Sequence, residues 1–189
     1  MRLFIGLVAA LLCAPFGQAA LVTFTANLDG AQQVQNPSVT TNAFGSALLT
    51  LDTVAKTYDV NLSVFNLDPA TLSPVGSMSA VHIHLGAIGV NGTVLSDLGA
   101  PANTTQINFG NFGFSLSGQG IAVDDATIDA MLANETYINV HTTAFPAGEI
   151  RGQLLAATAI PEPGSIIALT ALACGLMVYG RRRRLARLA

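Results

Sequence analysis

The stretch Tyr58-Asp59-Val60-Asn61-Leu62-Ser63-Val64-Phe65 decides the fold class. In an extended chain Tyr58, Val60, Leu62 and Val64 fall on one side and Asp59, Asn61 and Ser63 on the other. Period two, with apolar and polar sets on opposite sides, marks a strand with one face in a core and the other in water. The same alternation runs through residues 22–28 and 44–51. Leu51-Asp52-Thr53 to Lys56-Thr57 reads as the hairpin connection to residues 58–65. Further strands are expected at 80–85, 93–96, 105–109, 112–117, 135–141 and 149–155. Turn clusters separate them: Asp68-Pro69, Ser73-Pro74, Gly89-Val90-Asn91-Gly92 and Phe145-Pro146-Ala147-Gly148. Asn91-Gly92 is the dipeptide most suited to a positive-φ turn. Residues 124–132 depart from the alternation. Ile128, Met131 and Leu132 share a helical face there, and Asp124 and Asp125 suit a helix start. Many short strands and one small helix predict an all-β, Greek-key antiparallel β-sandwich.

Composition narrows the function. Both cysteines, Cys13 and Cys174, lie outside the stretch of alternating strands, so that body has no disulfide and no thiolate ligand. Between residues 20 and 159 the bases are Lys56 and Arg151, against ten acids, a net charge of −8 where the whole chain has −3. Such a body lacks the basic footprint of a nucleic-acid binder, and its acidity serves solubility. No Gly-x-Ser-x-Gly elbow occurs, no carboxylate pair is evident, and Gly86, Gly89 and Gly92 precede no helix that would bind phosphate.

The chain's three histidines fall on strands. Val81-His82-Ile83-His84-Leu85 puts both imidazoles on one face. In Tyr137-Ile138-Asn139-Val140-His141, Asn139 and His141 share the face opposite Ile138 and Val140. Glu149 and Arg151 flank Ile150 in the same way. If these strands are neighbours, His82, His84 and His141 form one cluster. Three neutral imidazoles converging on a point are a reasonable donor set for copper or zinc. Glu149 would orient a histidine or pair with Arg151. The competing reading is a polar network of the same residues that pins strand register.

Residues 80–86 (Ala-Val-His-Ile-His-Leu-Gly), Gly89-Val90-Asn91-Gly92, residues 137–142 and residues 146–153 (Pro-Ala-Gly-Glu-Ile-Arg-Gly-Gln) resemble the CHRD domain, named for chordin. The likeness spans residues 22–155 and includes the opening at 24–33, where Gln32 and Gln33 stand near the family's usual acid. The resemblance implies a sandwich of immunoglobulin-like or superoxide-dismutase-like character and no settled activity. The His-x-His strand is also similar to that of Cu/Zn superoxide dismutase. Three histidines cannot rebuild that enzyme's two metal sites.

The ends of the chain read as sorting signals. Arg2, an apolar run at 3–12 and Gly17-Gln18-Ala19 make a secretory signal peptide over 1–19, with cleavage after Ala20 as the alternative. Leu12 before Cys13 argues against a lipoprotein. At the other end stand Pro161-Glu162-Pro163, an apolar run over 165–180, and Arg181, Arg182, Arg183 and Arg184. The prolines keep the tripeptide extended. The sixteen residues from Ser165 to Gly180 span about 24 Å as a helix, short for a lasting anchor and enough for a transient transmembrane one. The arginines hold the cytoplasmic side. This order, over 160–189, resembles the PEP-CTERM signal of Gram-negative bacteria. The resemblance implies processing by an exosortase-type enzyme after signal peptidase, transient residence in the inner membrane, and delivery to the cell surface or matrix.

The expectation is therefore an exported, non-enzymatic structural or interaction module, with exopolysaccharide or surface proteins as partners. The alternative is an extracytoplasmic copper- or zinc-binding module with weak oxidoreductase activity at its histidines.

Overall fold

The computed structural model describes residues 21–157 apart from Asn36. The signal peptide expected at 1–19 and the sorting tail expected at 160–189, with its Pro161, Glu162, Pro163 and Arg181 to Arg184, lie outside the described residues. No helix among the described residues is long and apolar enough to cross a membrane.

In chain order the elements are β1 (Leu21–Asp29), β2 (Phe44–Asp52), β3 (Thr57–Phe65), β4 (Val81–Leu85), β5 (Val94–Asp97), β6 (Thr104–Asn108), β7 (Gly113–Ala122), α1 (Asp125–Leu132), β8 (Thr136–Val140), β9 (Ile150–Gln153) and β10 (Leu155–Ala156). All strand pairs are antiparallel. The hydrogen-bonded order is β5-β4-β8-β9-β1-β2-β3-β7-β6, with β10 also on β1. Neighbours distant in sequence, β4–β8, β9–β1 and β3–β7, are joined by long-range returns, not by hairpins.

The path folds into two layers at β1–β9, which pair only at Asp29 and Arg151. β1 also touches β8, and β2 touches β9, across the space between the layers. Phe24, Leu49, Leu62, Val64 and Phe114 of one layer share a single core with Val81, Ile83, Ile138, Val140 and Ile150 of the other. This all-β arrangement is that of a β-sandwich. β3 is as its sequence predicts: Tyr58, Val60, Leu62 and Val64 are buried, while Asp59 and Asn61 are exposed. Each such aliphatic side chain contributes roughly 1.5–3 kcal/mol by burial.

Two local expectations change. The strand expected to stop at 117 continues to Ala122, because a bulge absorbs Gln119 and Gly120. Gly120 takes φ 59° and its N–H donates to Asp59 Oδ1 at 2.7 Å, so Ile121 resumes the register opposite Tyr58. In α1 the Asp124 side chain caps the Thr127 N–H at 2.8 Å as expected. Its buried face, however, is Thr127, Ile128 and Met131, and Leu132 faces solvent.

Candidate metal centre

The layer β5-β4-β8-β9 departs most from a one-sided strand pattern. β8 and β9 are buried along their whole length, and β4 is buried up to Leu85. One face meets the apolar core. The other carries His82, His84, Tyr137, Asn139, His141, Arg151 and Gln153, all buried. Loops cover it and are tied down by hydrogen bonds. Gln33 Nε2 donates to Asn139 Oδ1 at 2.7 Å, Gln35 Nε2 to the Gly148 carbonyl at 2.5 Å, and Asn91 Nδ2 to the Val34 carbonyl at 2.8 Å. Gly92 is needed here for closeness. It is not among the positive-φ residues, against the turn expected at Asn91-Gly92, and a Cβ there would overlap the Leu85 carbonyl.

Register brings the histidines together. β4 pairs β8 with His82 opposite Asn139 and His84 opposite Tyr137. His141, just past β8, donates its backbone N–H to the Ala80 carbonyl at 2.8 Å and lies diagonally across from His82. Ring centroids stand 5.1 Å apart for His82–His141 and 5.7 Å for both His82–His84 and His84–His141. The three rings are 0%, 8% and 4% exposed in chain order.

The hydrogen bonds fix which nitrogens are available. His84 Nδ1 lies 3.0 Å from the Gly92 carbonyl, and His141 Nδ1 lies 2.9 Å from the Pro146 carbonyl. A carbonyl only accepts, so both Nδ1 atoms carry the proton and both Nε2 atoms present a lone pair. Neither Nε2 has a hydrogen-bond partner, and neither does either ring nitrogen of His82. One ligand nitrogen from each ring can be chosen so that all lie within 4.8 Å of one another. Around one ion at ~2.0–2.1 Å from each, nitrogens stand about 3.3–3.6 Å apart. Closing that gap takes about an ångström of side-chain movement.

Burial disfavours charge on all three rings. Burial, reinforced by His141, pushes the His82 pKa down from 6.5 to about 4. Burial also lowers His84 and His141, against the hydrogen bonds to Gly92 and Pro146. Neutral imidazole is the metal-binding form. Asp97, opposite His82 in the β4–β5 register, is an acid that sequence reasoning did not single out. Burial pushes its carboxyl up, but hydrogen bonds from Ser79 and Gly99 and the proximity of His82 outweigh this and leave it lowered.

Glu149 and Arg151 do not take the expected roles. Glu149 accepts from the Thr41 hydroxyl at 2.6 Å and the Thr142 hydroxyl at 2.7 Å, and it pairs with neither Arg151 nor a histidine. Arg151 lies over the Tyr137 ring, 3.5 Å from its centroid, and Tyr137 stacks on His84. Tyr137 thus backs a candidate ligand, although the sequence reading gave it no role. Its place on the His141 face of the same alternation was the available signal.

A two-layer antiparallel sandwich with a buried polar face beneath loops defines the class. A family model for the CHRD domain matches residues 24–154. The chain belongs to the CHRD family. No curated protein and no solved structure matches it.

Proposed function

We propose that this chain is an exported CHRD module whose sandwich holds one transition-metal ion, copper or zinc, on His82, His84 and His141. One observation carries the reading: the three buried imidazoles bring one nitrogen each within 4.8 Å of the others, each ring has a nitrogen without a hydrogen-bond partner, and backbone carbonyls set Nε2 of His84 and His141 as lone-pair donors. An unpaired buried polar atom costs about 1–3 kcal/mol, and a bound ion removes that cost at one nitrogen of each ring. Imidazole suits both copper and zinc. The rings lie under loops, which favours a structural or binding role over turnover of a substrate.

Export and sorting rest on the ends of the chain. The signal peptide and the Pro161-Glu162-Pro163, apolar, Arg181 to Arg184 order favour release by signal peptidase and an exosortase-type enzyme, after transient anchoring in the inner membrane of a Gram-negative cell. The mature module then works at the surface or in the matrix, among polysaccharide and other surface proteins.

The test is elemental analysis of the full chain, purified without a histidine tag and dialysed after exposure to copper or zinc. One ion per chain, lost on His84→Ala, is expected. A folded protein with no retained ion refutes the metal reading. Mass spectrometry of surface-released protein from an exosortase-bearing host tests the sorting reading, since intact Arg181 to Arg184 on most molecules contradicts it.

A further inference from the structure

Arg151 is 1% exposed, yet no carboxylate among the described residues pairs with it. Lys56, the other basic residue among the described ones, is exposed and paired with Asp125 at 2.8 Å. Arg151 Nη2 donates to the Ala87 carbonyl at 2.9 Å and to Gln153 Oε1 at 3.2 Å, and Nη1 donates to Asn91 Oδ1 at 3.3 Å. All three acceptors are neutral. Withdrawing a cation from water without an anion costs stability, and burial lowers the Arg151 pKa accordingly.

The same side chain helps to line a cleft of about 630 Å³ between the loop at 31–35 and the turn at Ile88-Gly89. That size is within the ~300–1,000 Å³ of small-molecule sites. Gln33, Gln35 and Gln153 share the wall, Val34 and Ile88 flank it, and no acid lines it, although the body's net charge is −8. Gln33 and Gln35 use their Nε2 groups on Asn139 and Gly148, and their Oε1 atoms accept no hydrogen bond among the described residues.

We propose that this cleft binds a carboxylated sugar. The carboxylate meets the Arg151 fork, exchanging the long contacts to Asn91 and Gln153 for charge-assisted hydrogen bonds. The Oε1 atoms of Gln33 and Gln35 accept from its hydroxyls, and Val34 and Ile88 cover its C–H face. The assignment rests on Arg151 and the cleft and is independent of any metal at the histidines.

The test is calorimetric titration of the full chain in mild detergent, with a chelator present. The probes are sodium glucuronate, polygalacturonate, glucose and a neutral glucan. Carboxylated forms are expected to bind at least tenfold more tightly than neutral ones. Val34→Asp, which sets an acid at the rim and leaves Arg151 in place, is expected to cut that affinity tenfold or more with unchanged melting temperature. Tighter binding per ring to the polymer identifies a polysaccharide as the source, and equal binding identifies the free sugar. Equal affinity for glucose, no binding by folded protein, or tighter binding of a short peptide through its C-terminal carboxylate overturns the assignment.

Discussion

His84 and Tyr137 lie nearly parallel, with ring centroids 5.0 Å apart and planes inclined by 14°. Opposed in the β4–β8 register, they hold each other's rotamers. The Gly92 carbonyl fixes His84 from another side, so its ring is oriented before any ion arrives. Tyr137→Leu removes the stack. Metal affinity should fall about 10- to 100-fold, the usual effect of losing a group that orients a ligand. Tyr137→Phe keeps the ring and loses only the hydroxyl that accepts from the Gly92 N–H at 3.3 Å. It should bind metal nearly as wild type. Competition with a chromogenic chelator measures both, and equal losses would refute an orienting role for the ring.

His82 separates a ligand from a register pin. Both its nitrogens are buried and make no hydrogen bond of normal geometry, the Ser79 backbone being near enough only to favour the charged ring slightly. Removing an unsatisfied polar group while keeping the volume is neutral or stabilising. His82→Leu should therefore leave the metal-free protein as stable as wild type, or more stable by about 1–2 kcal/mol, and should abolish metal retention. Urea denaturation in chelator, paired with elemental analysis, decides. A marked loss of metal-free stability would mean that His82 serves the fold itself.

Acid should weaken the metal-free fold early. His82 stays neutral in the fold down to about pH 4 but protonates near 6.5 once unfolded. Between those values the unfolded chain binds more protons, so stability is full above about pH 6.5 and falls as pH drops toward 4. The slope approaches about 1.4 kcal/mol per pH unit for each such histidine, and the lowered His84 and His141 add to it. Urea midpoints at pH 7.5, 6 and 5 test this. His82→Leu should flatten the slope, and an identical slope in that variant would sink the attribution.

Glu149 is predicted to matter for the loops and to leave the metal untouched. Its carboxylate joins Thr41, in the chain leading to β2, to Thr142 beside β8. Glu149→Gln should cost about 1.5–3 kcal/mol at most, the range for hydrogen bonds to a charged group, with metal stoichiometry unchanged. Loss of metal in the folded variant would restore the orienting role that sequence spacing suggests.

The sandwich was readable because β1, β2 and β3 bury one face and expose the other. The layer with the histidines was harder. Alternation tells which side of a strand a residue takes, and so it grouped His82 with His84 and Asn139 with His141. It cannot tell what covers that side. The cover comes from segments distant in sequence, such as Gln33 reaching Asn139 and Arg151 reaching Ala87. These are the contacts that turned an expected wet face into a dry one. The Glu149–Arg151 pairing is missing for a related reason: opposite charges two positions apart invited it, while the loops offered each closer partners.

β1 has its own partners at opposite ends of the sequence. Phe24 and Thr25 lie beside Ala156 and Leu155, and Asp29 lies beside Arg151. The first strand is therefore flanked by the last ones, and this side of the sheet has to wait for them. Contacts of such sequence separation form slowly, because a long loop must close before they contribute. A chain threaded from its N-terminus through a translocation channel would carry β1 across with that edge still open. The sandwich could close only after β9 and β10 had followed, so in such a passage the topology itself would delay folding until transit was nearly complete.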